Sequence, residues 1–447
     1  MSIYPDSTEC LKSELDIFTI PHTQISFEDS RYEEVFPVTS VERQTPLEFR
    51  CLSDVDYTDL SSVFLYIKTK IVQRDGLADI PAANNMADIE KVYPINNFHA
   101  SMFKNIEVYL NNTLVSSNDN LYGYRAFIEK LGTFHPETLQ QNGACSMYFN
   151  DSGNLNDIAR FPVAAAHADK NLGATQRFER SKNSRSFEMY GKLHADIFNC
   201  NRHLLNGVEL KLRLIRQDPK FCLMATDAAQ NYEIVIEKAV MYVKQDKVLP
   251  SVRESHDQEI MQKTAKYPIR KVNMKYFTKS AGLTDISELE ICKGVLPRRI
   301  IFGFVNATAF AGDLHLNPLN FQHFNVRNIT MRINGVAKPW DKLEFDFTNK
   351  NFLHGYLSLQ QATEKLFTDN PLAIKPFGKE ASFENGHSLF GFNLAQNCGE
   401  CLSLQTHGKI AVEIKLAQAL DHPIVLIVFL EYDDILEVNS FKNVVEN

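Results

Sequence analysis

At 447 residues the chain exceeds the size at which one hydrophobic core keeps growing, so two or three domains are expected. Hydrophobic residues make up 44% and charged residues 23%, which excludes a disordered chain. The net charge of -8, with no Lys/Arg block, argues against a dedicated nucleic-acid binder, which would carry a basic face.

The opening stretch MSIYPDSTECLKSELDIF contains acidic residues and no apolar core, so it does not read as a secretory signal. Eight scattered cysteines (Cys10, Cys51, Cys145, Cys200, Cys222, Cys292, Cys398 and Cys401) read as free thiols of a reducing compartment. From residue 63 the chain alternates. VFLYIKTKIV (63–72) sets apolar residues against polar ones with period two, as a half-buried antiparallel strand requires. NIEVYLNNTLV (105–115) predicts a hairpin turning at Asn111-Asn112. Gly123-Tyr124 then leads into a short helical segment, YRAFIEKL (124–131). Strands follow in SFEMYGKLHADI (186–197), VELKLRLIR (208–216) and YEIVIEKAVMYVKQ (232–245). The stretch 251–266 is polar, lacks alternation and reads as a linker or a short helix. Alternation resumes in YPIRKVNMKYFT (267–278).

The second half repeats the first. NITMRINGVAK (328–338) predicts another hairpin, now turning at Asn334-Gly335, and LEFDF (343–347) alternates after it. Gly355-Tyr356 leads into the helical SLQQATEKL (358–366), which ends in Glu-Lys-Leu like its counterpart. HSLFGFNLAQN (387–397) and KIAVEIKLAQ (409–418) parallel the earlier strand pair. The offsets are 223, 232 and about 200 residues, so insertions fall in loops of a duplicated unit. Ile424 to Leu430 is an apolar run of seven residues, too short to cross a bilayer and suited to a buried strand.

These features predict an all-β chain: two tandem eight-stranded jelly rolls with short helices in the inter-strand loops. The expected division is an arm over 1–14, a first roll over 15–250, a linker over 251–266, a second roll over 267–436 and a tail over 437–447.

Chemistry is sparse. Cys398-Gly-Glu-Cys401 is a lone CxxC with only His407 nearby, short of a zinc ligand set. A tandem jelly-roll metalloenzyme would need a His-x-His pair, and none of the thirteen histidines forms one. There is no phosphate-binding glycine loop, no nucleophile elbow and no H-E-x-x-H. Asp433-Asp434 and Glu33-Glu34 read as solvated strand or loop positions, while His99 and His323, just before the two hairpins, read as structural histidines. No catalytic, cofactor-binding or metal-ligating residue is expected, and no cofactor.

Longer stretches carry a resemblance. IPHTQISFEDSRYEEVFPVTS (20–40), DYTDLSSVFLYIKTKIVQRDG (56–76), PINNFHASMFKNIEVYLNNTLVSSNDNLYGYRAFIEKL (94–131), YGKLHADIFNCNRHLLNGVELKLRLIRQDPKFCLM (190–224) and LPRRIIFGFVNATAFAGDLHLNPLNFQHFNV (296–326) resemble the major capsid protein of Polinton (Maverick) elements and adintoviruses. That resemblance implies a hexon-like structural protein, not an enzyme. Its homotrimers would have a pseudo-hexagonal outline and tile an icosahedral shell around double-stranded DNA. Implied partners are neighbouring capsomers, a single jelly-roll penton protein and minor capsid proteins, with weak contact to packaged DNA and no membrane span. The implied location is the virion capsid, made in the host cytoplasm and assembled in the host nucleus. The contrasting expectation is a monomeric tandem jelly-roll enzyme or carbohydrate-binding protein.

Overall fold

A computed structural model describes residues 13–41, 45–81, 91–156, 171–226, 231–395 and 401–445. Besides a separate two-stranded pair (Val92–Pro94 with Leu223–Ala225), eight strands of the first half build its main sheets: β1 (Phe27–Val35), β2 (Leu47–Cys51), β3 (Tyr57–Gln73), β4 (Phe103–Leu110), β5 (Thr113–Ser116), β6 (Phe187–Lys192), β7 (Leu210–Arg216) and β8 (Tyr232–Val248). They form two antiparallel sheets ordered β1-β8-β3-β6 and β2-β7-β4-β5. The second half supplies β9 (Ala265–Lys279), β10 (Asp285–Val295), β11 (Arg299–Asn306), β12 (Val326–Ile333), β13 (Val336–Ala337), β14 (Leu389–Asn393), β15 (His407–Leu416) and β16 (Ile424–Val438). Their sheets run β9-β16-β11-β14 and β10-β15-β12-β13. Counted from the start of each half, the two strand orders are identical. The fold is a double jelly roll.

Alternation explains the sheets. Leu210, Leu212 and Leu214 of β7 are buried, as are Ile410, Val412, Ile414 and Leu416 of the matching β15. Lys211, Arg213, Lys409 and Glu413 lie on the opposite faces. β16 differs because every residue from Ile424 to Glu431 is buried, so its apolar run has no wet face to encode. Phenylalanines fill the second roll: the Phe390 ring centre lies 5.3–6.0 Å from those of Phe302, Phe304, Phe345 and Phe383.

Both hairpins turn where expected. Leu110 pairs with Thr113 across Asn111-Asn112 (φ 44° and 68°), and Ile333 pairs with Val336 across Asn334-Gly335 (φ 52° and 84°). Two successive positive φ angles suit the right-handed strand twist, and Asn and Gly tolerate them best.

The helices depart from the sequence reading in extent. α1 (Tyr122–Thr133) covers the expected 124–131, but Gly123-Tyr124 lies inside it rather than before it. Most of the stretch read as a linker or short helix (251–266) is helical: α2 (Pro250–Ile260) starts one residue before it, with proline at its start. The later helix, α3 (Leu353–Ala362), starts earlier than the expected 358–366 and stops before Glu364-Lys365-Leu366. Glu364 has φ 58°, so the second Glu-Lys-Leu sits in a left-handed turn. Helices also form at Pro136–Ala144 and Leu172–Ser181; the second buries a regular stripe of Gly173, Ala174, Arg177, Phe178 and Ser181, in which Phe178 is the one large apolar side chain. In LEFDF only Leu343–Glu344 pairs with a strand, although Leu343, Phe345 and Phe347 are all buried. β16 runs on to Val438, and Val444–Val445 folds back against it.

Candidate assembly surfaces

Within one chain the two rolls join along α1. The Tyr124 ring stacks on Phe310 at 5.9 Å and meets Phe321 edge-on, while Phe127 stacks on Phe321 at 6.2 Å and faces the edge of His387 at 5.5 Å. Beside these rings lies a buried ionic network. The fully buried Arg125 contacts Glu129 and Asp196, each at 2.7 Å, and donates to Asn118 Oδ1 at 2.7 Å. Asp196 also accepts the Val272 amide of β9 at 3.1 Å, tying the first roll to the second. Burial pushes the Glu129 carboxyl up, but Arg125 and His194 overcome it and hold it at about 2. Burial keeps His194 below its ordinary value despite the Glu129 oxygen 2.7 Å from its Nδ1.

A cleft of about 630 Å³ opens next to this network and is lined by charge: Glu129, Arg270, Arg298, Arg299, Glu431 and Asp433 among others. These charges neutralise one another. Arg299 meets Glu431 at 2.5 Å, and Arg298 meets Glu364 at 2.5 Å and Asp433 at 3.6 Å. Cys401 reaches the same cleft as an exposed free thiol, whereas Cys398 lies outside the described residues.

The remaining residues singled out in the sequence take structural places. His99 is buried with Nε2 2.9 Å from the Leu65 carbonyl, and burial pulls it down to about 3. His323 stacks on Phe347 at 3.9 Å, and its Nδ1 accepts the Asn325 amide. Asp433 accepts the Ser403 amide at 2.9 Å, and Asp434 pairs with Lys271 at 3.6 Å. Glu34 accepts from Tyr242 Oη at 3.2 Å, and Glu33 lies 3.9 Å from the Cys51 thiol.

Two clusters escaped sequence reasoning. Asp59, His203 and Asp246 bring their ligand atoms within 4.8 Å of one another. Lys244 Nζ stands 3.5 Å from each carboxylate and already supplies the positive charge a cation would bring. Lys130, from the first Glu-Lys-Leu, is buried; its ammonium donates to Asn97 Oδ1 and Ser146 Oγ, both at 2.6 Å, and burial lowers it to about 7. Neither cluster has a signature spacing, because its members are far apart along the chain.

Surface that nothing covers is concentrated before and along β1. Residues 14–34 are all exposed, and β1 pairs only with β8, leaving a free sheet edge. Glu28, Asp29, Arg31, Glu33 and Glu34 load that edge with charge, which discourages indiscriminate strand pairing. Tyr32, Phe64, Tyr190 and Tyr242 form an aromatic group on this sheet, with Phe64 and Tyr242 stacked at 4.9 Å.

No family model matches the chain. It is 22% identical over 436 residues to the uncharacterized protein F54H12.2 of Caenorhabditis elegans, covering 95% of this chain and 98% of that protein. Among solved structures, the fold resembles a chain of the Sputnik virophage, with TM-score 0.60 and 13% identity over 100% of this chain and 94% of that one. It also resembles the mavirus major capsid protein (TM-score 0.55, 11% identity, 100% and 96% covered). A third likeness is to the Faustovirus major capsid protein (TM-score 0.55, 9% identity, 95% and 92% covered).

Proposed function

We propose that this chain is the major capsid protein of a double-stranded DNA virus or virus-like element, a structural subunit and not an enzyme. The observation that carries the reading is the equal strand order of the two rolls within one chain, over an alignment that covers 96% of the mavirus major capsid protein. A threefold assembly of such a chain presents six similar modules, which is what six-coordinated tiling of a closed shell needs. Inside the trimer the second roll of one subunit meets the first roll of the next, and the rotation closes after three.

Closed sandwiches leave few sheet edges, an advantage at the concentrations a shell imposes. The proposed division places one roll in residues 15–250 and the other in 267–436, with α2 in the connection between them. Neighbouring capsomers, a penton protein and minor capsid proteins are the proposed partners, and the virion capsid the proposed location. A nearly full-length relative in a nematode supports an element carried in animal genomes, of the Polinton/Maverick or adintovirus kind.

Size-exclusion chromatography with light scattering tests the reading. A particle of about 150 kDa, three copies of the 51.0 kDa chain, is expected, with hexagonal outlines in negative stain. A 51 kDa monomer at every concentration would overturn it.

A further inference from the structure

Two unsatisfied surfaces meet where the chain enters β1. The first is the segment before the strand. Every residue from Glu14 to Ser26 is exposed, and Leu15, Ile17, Phe18, Ile20 and Ile25 keep 64–93% of their surface open. So many large apolar groups on one short stretch mark a surface made to be covered.

The second is a groove of about 590 Å³ between α2, the beginning of β1, the loop around Leu205 and the beginning of β9. Its walls are mainly apolar, made by Phe27, Tyr57, Leu205, Val252, Ile260 and Tyr267. Of the cations beside it, Lys263 pairs with Glu259 at 3.1 Å and Lys266 with Glu437 at 3.0 Å, while Arg202 has no carboxylate partner among the described residues.

The exposed segment begins beside this groove but does not enter it. Its root is pinned: Leu249 donates its amide to the Ser26 carbonyl at 3.1 Å, and Gln24 Oε1 accepts the Phe27 amide at 2.9 Å. Upstream of Ser26, no residue of the segment lines the groove. Segment and groove nevertheless match in kind. The segment is apolar and carries Glu14 and Asp16, while the groove is apolar and offers the guanidinium of Arg202 to an acidic side chain.

We infer that residues 13–25 of one copy dock in the α2 groove of a second copy, strapping subunits together by exchanged segments. Exchange covers both surfaces at once without altering either roll, in the manner of a domain swap. This rests on the reading of the chain as a self-assembling subunit, and adds the segment and the groove through which copies hold one another.

The test uses the full-length chain with p-benzoylphenylalanine in place of Phe18, mixed as unlabelled and 15N-labelled copies, irradiated and mapped by mass spectrometry. Cross-links between a light and a heavy chain, joining residue 18 to the 252–267 stretch, are expected. The variant Val252→Lys puts a charge in the groove from a half-buried helix position. It should reduce those cross-links about tenfold, the equivalent of 1.4 kcal/mol, while the particle mass stays unchanged. Cross-links confined to single chains, or directed elsewhere, in a particle that is still a trimer would overturn the exchange and leave the capsid reading standing. A protein that stays monomeric throughout would overturn both.

Discussion

The Asp196 carboxylate in the first roll accepts the backbone amide of Val272 in the second at 3.1 Å, while it also accepts from Ser116 Oγ at 3.1 Å and meets the buried guanidinium of Arg125 at 2.7 Å. One side chain therefore neutralises a buried charge and fixes where β9 sits against the preceding roll. Removing one partner of a buried ion pair costs more than the pair contributes, because the other charge is left without water.

Asp196→Ala should therefore destabilise the chain by about 3 kcal/mol, moderated because Glu129 still contacts Arg125. The urea midpoint measures this. A midpoint within error of wild type would show that the junction does not depend on Asp196.

Glycines at two packed positions should respond oppositely to alanine. A Cβ on Gly391 would lie 2.7 Å from the Ala362 Cβ and 3.1 Å from the Leu359 backbone, where α3 presses on β14. Gly391→Ala should cost about 1–3 kcal/mol by overpacking. On Gly132, in α1, the Cβ would meet only the Thr363 methyl at 3.4 Å. Gly132→Ala should stabilise by about 0.4–1 kcal/mol through helix propensity and the unfolded chain. Thermal unfolding of the two variants would separate them by sign.

Stability should fall on mild acidification. Burial lowers His99 to about 3 and both His323 and His387 to about 4, from an ordinary value of 6.5. Above pH 6.5 these histidines are neutral in both states and their contribution is intact. Below it the unfolded chain takes up protons that the folded chain refuses, so stability is lost progressively down to the folded values. At pH 5 each histidine accounts for about 2 kcal/mol of that loss. His387 is buried against Phe127 and neither ring nitrogen has a hydrogen-bond partner among the described residues. His387→Phe should therefore flatten the change in urea midpoint between pH 7.5 and pH 5, and an unaltered slope would remove His387 from the account.

The acidic balance predicts weak binding to DNA. With a net charge of -8 the purified protein should hold duplex DNA no more tightly than non-specific binders do, with Kd of about 10⁻⁴–10⁻⁶ M at physiological salt. Filter binding at two salt concentrations measures it. Tight, steeply salt-dependent binding would reveal a basic surface that net charge conceals.

Several elements could be read before any coordinates. The hairpins at Asn111-Asn112 and Asn334-Gly335, the alternation of β7 and β15 and the buried run of β16 are local signals, each set by period-two burial or by turn residues that accept positive φ. Repetition of those signals in the same order made the duplication, and with it the jelly-roll pair, legible from the residues alone.

Other features depend on residues distant in the chain. Nothing near Glu364 says that the helix stops at Ala362; the Glu-Lys-Leu that is helical in α1 is turned out of α3 by a left-handed residue. The Arg125–Asp196–Val272 junction, the charge-lined cleft and the Asp59–His203–Asp246 cluster join positions from tens to about three hundred residues apart, and no spacing rule reaches that far. Backbone periodicity was written locally because each strand must hide one face from water. Which of those faces meet, and which stay exposed, was decided only when the two rolls packed together.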